Sequence, residues 1–389
     1  MATTDDTMRR TILHSIHTRL NARLAPFGGW HMPINYASGI LAEHRAVRTS
    51  AGTFDVSHMG RLAVRGEGAL PFLQRMVTSD VAALDVGEAQ YSLLLHEDGG
   101  VMDDILVYRL REHYLLVVNA SNADTDAAWL RQHLAGNVTL DDLSPATGML
   151  AVQGPRARGI VERLAEAPIR GIRYYHCADG VIAGIPCLVS RTGYTGEDGV
   201  ELICPLDHTE HLWEAILREG SDEGILPAGL GARDTLRTEA GMPLYGHELT
   251  SERSPLEANL HRYVALEKGD FVGREAVINR GLQPQDSLVG ILLDTRAPAR
   301  AGTSILAGDQ RIGEVTSGTL SPTLDRSIAM AYVTRTMATP GMPVQALIRH
   351  QSHPGSVTAL PFYHRRRKAR EKGTKEGDGI LDTLKPERS

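Results

Sequence analysis

Lysine is nearly missing from this chain. Before Tyr363 it occurs only at Lys268, in the turn-like Glu267-Lys268-Gly269-Asp270, while arginine is spread throughout. Schiff-base chemistry, with pyridoxal phosphate or a carbonyl substrate, needs a lysine in an apolar pocket, so that class nearly drops out. A Walker lysine is missing too, and Gly229-Leu-Gly231 lacks the third glycine of a dinucleotide fingerprint, so nucleotide binding has no support. Cysteine is also scarce. Cys177, Cys187 and Cys204 lie in or beside apolar segments with no Cys-x-x-Cys pair and no histidine cluster, which predicts buried reduced thiols and no metal site. No apolar run approaches the ~20 residues that span a bilayer. Asp5 and Asp6 precede any apolar stretch, unlike a signal peptide, so a soluble, cytoplasmic protein with no membrane partner is expected. No period of a repeat protein is visible.

What is present is a globular composition, long enough for two or three domains. The formal charge is −6. It is unevenly divided, because residues after Tyr363 carry nine Lys and Arg against five Asp and Glu and leave the body at −10. A body that negative argues against nucleic acid as a partner. The tail, 364–389, is poor in apolar residues and is expected to be disordered.

Periodicity gives a coarse map. Gly39 to Thr49 has helical spacing, Phe54 to Val64 reads as a strand, Gly68 to Val77 as a helix, Tyr91 to Asn119 as three strands, and Asn122 to Leu134 as a helix with Asn122 as N-cap. Gly148 to Gly154 is a strand, and Ile185 to Arg191 pairs with Val200 to Cys204 across a Gly-rich turn. From Ser287 to Phe362 short strands punctuated by glycine and proline predict a separate all-β barrel or sandwich.

Two constellations carry chemistry. In Gly99-Gly-Val-Met-Asp-Asp104 a glycine turn precedes a doublet of acids on a strand. Neighbours on a strand point to opposite faces, so one acid can look into a cavity as base or cation stabiliser while the other meets solvent or a cation. An ordinary acidic hairpin shoulder is the alternative. The second is a helix within Pro227 to Pro243, where Arg233 and Arg237 lie one turn apart and call for an anion opposite, either a bound acid or an internal carboxylate.

A longer ordered set of motifs then becomes informative. Phe27-Gly-Gly-Trp30-His-Met-Pro, His44-Arg-Ala-Val-Arg-Thr-Ser-Ala-Gly-Thr-Phe-Asp-Val-Ser-His-Met59, the acid doublet, Val117-Val-Asn119, Ala151-Val-Gln-Gly-Pro155, Arg191-Thr-Gly-Tyr-Thr-Gly196, Gly229-Leu-Gly-Ala-Arg-Asp-Thr-Leu-Arg237 and Gly313-Glu-Val-Thr-Ser-Gly-Thr-Leu-Ser-Pro322 resemble the glycine cleavage aminomethyltransferases, the T-protein family, from about Leu24 to Tyr363. The resemblance implies a three-lobed α+β folate-binding aminomethyltransferase fold with a C-terminal β-barrel. Two interleaved lobes, 1–52 with 145–285 and 53–144, would make up 1–285, with the barrel at 286–363. It implies release of ammonia from an aminomethyl group on the lipoyl arm of the H-protein and transfer of the methylene to tetrahydrofolate. Partners would be the lipoylated H-protein, transiently, and other glycine cleavage components. Carried over by motif, Asp103 is catalytic, Asn119 and Glu201 recognise the pterin, and Tyr194, Arg233 and Tyr91 are further folate contacts.

One segment departs from the family pattern. After Ser254-Pro-Leu-Glu-Ala258 the family usually continues Gly-Leu-Gly-Trp and then a lysine, whereas this chain reads Asn259-Leu-His-Arg-Tyr-Val-Ala265. His261 and Arg262 could recognise an anionic donor, or fill the same wall by other contacts. A tetrahydrofolate-dependent demethylase of a small methyl donor on the same fold is therefore the alternative function. A non-catalytic folate module of iron–sulfur assembly is disfavoured, since the cysteine of its signature is replaced in Lys268-Gly-Asp-Phe-Val-Gly-Arg-Glu275. A flavin-linked oxidase would need a further nucleotide-binding domain.

Overall fold

In the computed structural model the described residues are 8–281 and 284–365. Asp5, Asp6 and the basic tail from residue 366 onward lie outside them. The chain builds two main sheets and a barrel. A six-stranded sheet runs in the order Cys177–Ile182, Ile185–Ser190, Gly199–Pro205, Thr147–Gln153, Gly52–Asp55, Leu226–Pro227. A five-stranded sheet runs Glu88–Leu95, Val101–Arg109, Tyr114–Val118, Gly60–Arg65, Thr139–Asp142. The α+β class that the family resemblance implies is what the structure has.

The expected single strand from Phe54 to Val64 is two strands in different sheets. Gly52–Asp55 pairs with Thr147–Gln153, and Gly60–Arg65 pairs with Tyr114–Val118. Between them the chain turns on Asp55, whose carboxylate accepts from Ser57 N at 2.9 Å and from Thr11 Oγ1 at 2.6 Å. Apolar periodicity ran on through this turn because Val56 is itself buried.

Each sheet carries helices on one face. Ala69–Met76 and Ala123–Gln132 pack Leu73, Met76 and Leu130 onto Leu62, Leu94 and Leu116 of the five-stranded sheet. Ala157–Leu164 and Thr209–Glu219 cover the other sheet around the fully buried Trp213. A further cluster joins the two sheets, with Phe54, Met149 and Ala151 from one, Tyr108, Leu115 and Val117 from the other, and Leu236 from the helix Leu230–Glu239. Truncating such a residue to alanine costs about 2–5 kcal/mol. The two sheets are thereby fixed against each other, and so are the polar side chains they carry.

The C-terminal region forms a closed barrel in the order Asp286–Leu293, Arg326–Thr334, Gln310–Ser321, Ser304–Ala307, Pro343–Ile348, Gln351–Thr358. Closure pairs every edge, the standard solution for an all-β unit. The barrel docks on the helix Leu230–Glu239. Glu239, fully buried, accepts from Ser321 Oγ at 2.5 Å, Thr323 N at 3.0 Å and Thr323 Oγ1 at 2.7 Å, and pairs with Arg48 at 2.9 Å. No helix among the described residues is long and apolar enough to cross a membrane.

Candidate active site

The acid doublet sits where the sequence placed it, on a strand behind a glycine turn, but its geometry is not simple alternation. The turn is pinned from above: Val101 N donates to Thr250 O and Arg253 O at 3.2 and 3.0 Å. A Cβ on Gly100 would lie 1.8 Å from Ser251 O, which is why glycine is required there. Along the strand, Leu94 faces Asp103 while Leu95 faces Val101, so Met102 is an extra residue that breaks the two-residue period.

Asp103 has no exposed surface and accepts from Asn119 N and Nδ2, both at 2.9 Å, and from Asn122 Nδ2 at 2.7 Å. Asp104 keeps accessible surface and accepts from Tyr91 OH at 3.0 Å and Asn119 Nδ2 at 2.8 Å. Both carboxyl groups thus converge on one amide. The second acid keeps part of the exposure expected of it, and in place of a cation it meets a tyrosine and an asparagine. The reading of Asn122 is corrected, because it precedes the helix Ala123–Gln132 without capping it and spends its side chain on Asp103.

The electrostatics separate the two acids. Burial, and then the charge of Asp103, push the Asp104 carboxyl up to about 7. Burial also raises Asp103, opposed by its N–H donors. Asp104, half-buried and titrating near neutrality, has the properties expected of a working acid or base. Tyr91, which reports to Asp104, stacks on Tyr263 with ring centroids 4.6 Å apart.

The second polar group comes from Glu201, on the inner strand Gly199–Pro205 of the six-stranded sheet, and the residues around it. Glu201, 6% exposed, accepts from Thr192 Oγ1 at 2.5 Å, its one hydrogen bond among the described residues, so one carboxylate oxygen is left over. Thr192 in turn contacts Tyr108 OH at 3.3 Å, tying this group to the neighbouring sheet. Burial raises the Glu201 carboxyl, opposed by Thr192 and Arg233. The Arg233 guanidinium lies 4.7 Å over the Tyr194 ring, and its buried Nη1 has no hydrogen-bond partner among the described residues. Tyr194 donates to Pro243 O and feels the charge of Asp104. The paired reading of Arg233 and Arg237 divides. Arg237 is satisfied internally by Glu248 at 2.9 Å and Asp234 at 2.7 Å, whereas Arg233 keeps an orphaned donor.

The six residues singled out in the sequence fall into two contact groups, Tyr91, Asp103 and Asn119 around Asp104, and Tyr194, Glu201 and Arg233, with Tyr194 feeling the charge of Asp104 between them. An unpaired guanidinium N–H and a spare carboxylate oxygen close together suit a ligand that both donates and accepts, as an aminopyrimidinone ring does. Sequence reasoning missed Asp126, fully buried on the helix Ala123–Gln132 with neither carboxyl oxygen hydrogen-bonded by any described N–H or O–H donor. The signal was present: Asp126 falls on the helix's apolar stripe, three residues after Ala123 and four before Leu130.

The departing segment forms the short turn His261–Tyr263. Asn259 sits at φ +58°, a conformation glycine adopts freely and asparagine tolerates, and its side chain donates to Leu288 O at 2.7 Å. Arg262 is exposed, with its guanidinium 4.7 Å over the Tyr263 ring. Tyr263, rather than the usual tryptophan one residue earlier, supplies the aromatic surface against Tyr91.

An acid raised toward neutrality, aromatic rings and a buried arginine with one unbonded donor suit a polar ligand, and the class of the enzyme, a transferase, follows from its relatives. Residues 13–268 match the GCVT N-terminal domain, and residues 287–364 match the glycine cleavage T-protein C-terminal barrel domain. The chain is 46% identical to an aminomethyltransferase of Chloroherpeton thalassium over 364 residues, covering 92% of this chain and all of that one. It is 48% identical to one of Geobacillus kaustophilus, covering 92% and 99%. The crystal structure of glycine cleavage system aminomethyltransferase T from Bartonella henselae superposes with a TM-score of 0.86 at 34% identity, covering 92% of this chain and 99% of that one. The chain belongs to the glycine cleavage T-protein family and is an aminomethyltransferase.

Proposed function

We propose that this enzyme passes a methylene unit from an aminomethyl group carried on a lipoylated H-protein to tetrahydrofolate, with ammonia released, and that it works with the other glycine cleavage components. The observation that carries this is the pairing of an orphaned Arg233 donor and a spare Glu201 oxygen in one contact group with the near-neutral Asp104 in the other. Tetrahydrofolate would supply the nitrogens that take up the one-carbon unit. Glu201 and Asn119 would hold its pterin, Tyr194 and Tyr91 its faces, and Arg233 an acceptor on the ring or the acidic end.

Of the two acids, Asp104 is the one placed to act on the substrate. It retains accessible surface, whereas Asp103 is enclosed and already accepts from three N–H donors. In its ionised form Asp104 orients a donor amine and stabilises the positive charge that develops at the carbon being transferred. Tyr91 O–H holds that carboxylate in place. Asp103 anchors Asn119 and Asn122 and sets the charge environment of Asp104.

Purified enzyme, aminomethylated H-protein and tetrahydrofolate should release ammonia with 5,10-methylenetetrahydrofolate. Asp104→Asn should lower kcat by about a hundredfold or more, with Asp103→Asn acting chiefly through stability. No ammonia release with folate binding intact would transfer the assignment to a demethylase of a small methyl donor. A larger kcat loss in a folded Asp103→Asn than in Asp104→Asn would return the catalytic role to Asp103.

A further inference from the structure

The carboxyl of Asp126 has no part in the mechanism above. It is wholly enclosed, and no N–H or O–H donor of any described residue reaches either oxygen. The charged and titratable groups that bear on it are Asp103 and Asp104 from the strand Val101–Arg109 and Tyr245 from the segment after the helix Leu230–Glu239, and none is a cation. Of these, the Asp103 carboxyl bears on it most strongly. An ionised carboxylate without donors, buried against a second carboxylate, is among the most unfavourable arrangements a protein interior can hold. A neutral carboxylic acid in the same place is satisfied, because its O–H can donate to Asp103, which is an acceptor on all sides.

We propose that Asp126 is a positioning residue that resides in the folded enzyme as a neutral carboxylic acid and donates a hydrogen bond to Asp103. Its proton completes the set of donors around Asp103, alongside Asn119 N, Asn119 Nδ2 and Asn122 Nδ2. Asp103 so held is a fixed anion. It orients the Asn119 amide, and that amide is shared with Asp104. The line Asp126, Asp103, Asn119, Asp104 carries a protonation state from a closed interior to the acid facing the substrate. Burial and the Asp103 charge hold the Asp126 proton to about 10, while Asp104 titrates at about 7, so across the intervening range one acid is neutral and the other ionised.

The inference on kinetics rests on the proposed role of Asp104; the protonation state does not. Infrared difference spectra of wild type against Asp126→Asn, recorded midway between about 7 and about 10, should show the carbonyl stretch of a protonated carboxyl in the wild type only. This needs folded protein and no substrate. Absence of the band overturns the proposal whatever the reaction proves to be.

The kinetic arm compares two substitutions. Asparagine is an uncharged donor of similar shape, so Asp126→Asn should keep the acid limb of the kcat profile at the wild-type position and remove any alkaline fall near about 10. Asp126→Leu, which cannot donate, should lower kcat by about tenfold or more with KM little altered, and the asparagine variant should recover most of that loss. A fall in the acid limb of Asp126→Asn would mean that a negative charge had been removed, and would refute the neutral state. Should the leucine variant fail to fold, the infrared band and the asparagine profile still decide the question.

Discussion

Replacing Asp104 with asparagine should make the enzyme slower and shift its stability, relative to wild type, increasingly in the variant's favour as pH rises through neutrality. An aspartate titrates at about 3.9 in an unfolded chain, and in the fold Asp104 is held at about 7. The folded state therefore binds the proton more tightly than the unfolded state. Its contribution is fully favourable below about 4, declines as pH rises through about 7, and is flat beyond. At about 1.4 kcal/mol per tenfold change in proton affinity, an isolated group with these values would cost the fold about 4 kcal/mol at pH 8. Part of that belongs to the interaction with Asp103, so about 1–3 kcal/mol is expected for Asp104 alone. Asparagine has no such titration, and its single oxygen can accept from Tyr91 OH or from Asn119 Nδ2 but not from both, a cost that does not vary with pH. The stability difference between variant and wild type should thus grow in the variant's favour by about 1–3 kcal/mol from pH 4 to pH 8, whatever constant offset the amide introduces. Urea denaturation midpoints for both proteins across that range measure it, with kcat for methylene transfer measured in parallel. A stability difference that does not change with pH would refute the placement of a strained, half-buried carboxyl at Asp104.

Three further outcomes follow from the geometry. Glu201→Gln exchanges a carboxylate oxygen for a donor facing a donor-rich ring, and calorimetric titration should show folate binding weakened by about 1–3 kcal/mol; unchanged affinity would remove Glu201 from the site. Arg237→Met leaves the fully buried Glu248 without its guanidinium, so thermal or urea unfolding should register a loss of about 3–5 kcal/mol, and a neutral result would mean that water replaces the arginine. Arg262→Trp should leave H-protein-dependent formation of methylenetetrahydrofolate within a few-fold of the parent, since Arg262 is exposed and touches Tyr263; an abolished reaction would point to Arg262 as a donor-binding residue.

Much of this fold was legible because its elements obey simple periods. The strands around the Gly99-Gly100 turn, the helix from Leu230 and the Gly- and Pro-punctuated barrel all follow from local pattern and turn chemistry. The gathering of Asn119, Glu201 and Arg233 was not legible from spacing, since they come from two sheets and a helix far apart in the chain; it came through the family resemblance. Local exceptions caused the misreadings. Backbone alternation holds at the acids, where Asp103 and Asp104 pair in register with Leu94 and Leu93, but the Asn119 amide reaches both carboxyl groups, and the turn at Asp55 is masked by the buried Val56. Asn122 looks like a cap and serves Asp103 instead. Asp126 reads as one more polar position on a helix until its surroundings show that it has neither exposed surface nor a donor among the described residues.

The placement of the Gly52–Asp55 strand bears on how the molecule is made. It lies between Thr147–Gln153 and Leu226–Pro227, two strands that follow it by roughly a hundred residues and more. As the chain emerges from the ribosome, Gly52–Asp55 must wait unpaired while everything from Gly60 to Asp142 is synthesised. That intervening stretch holds the whole five-stranded sheet and its two helices, so it can close first as a unit of its own. Tyr91, Asp103, Asp104, Asn119 and Asp126 all belong to it. The strands and helices that carry the acids can consequently form before Glu201 and Arg233 have been translated, and the later segments that pin the acid turn and cover Leu93, Leu95 and Val101 dock onto a scaffold that already exists.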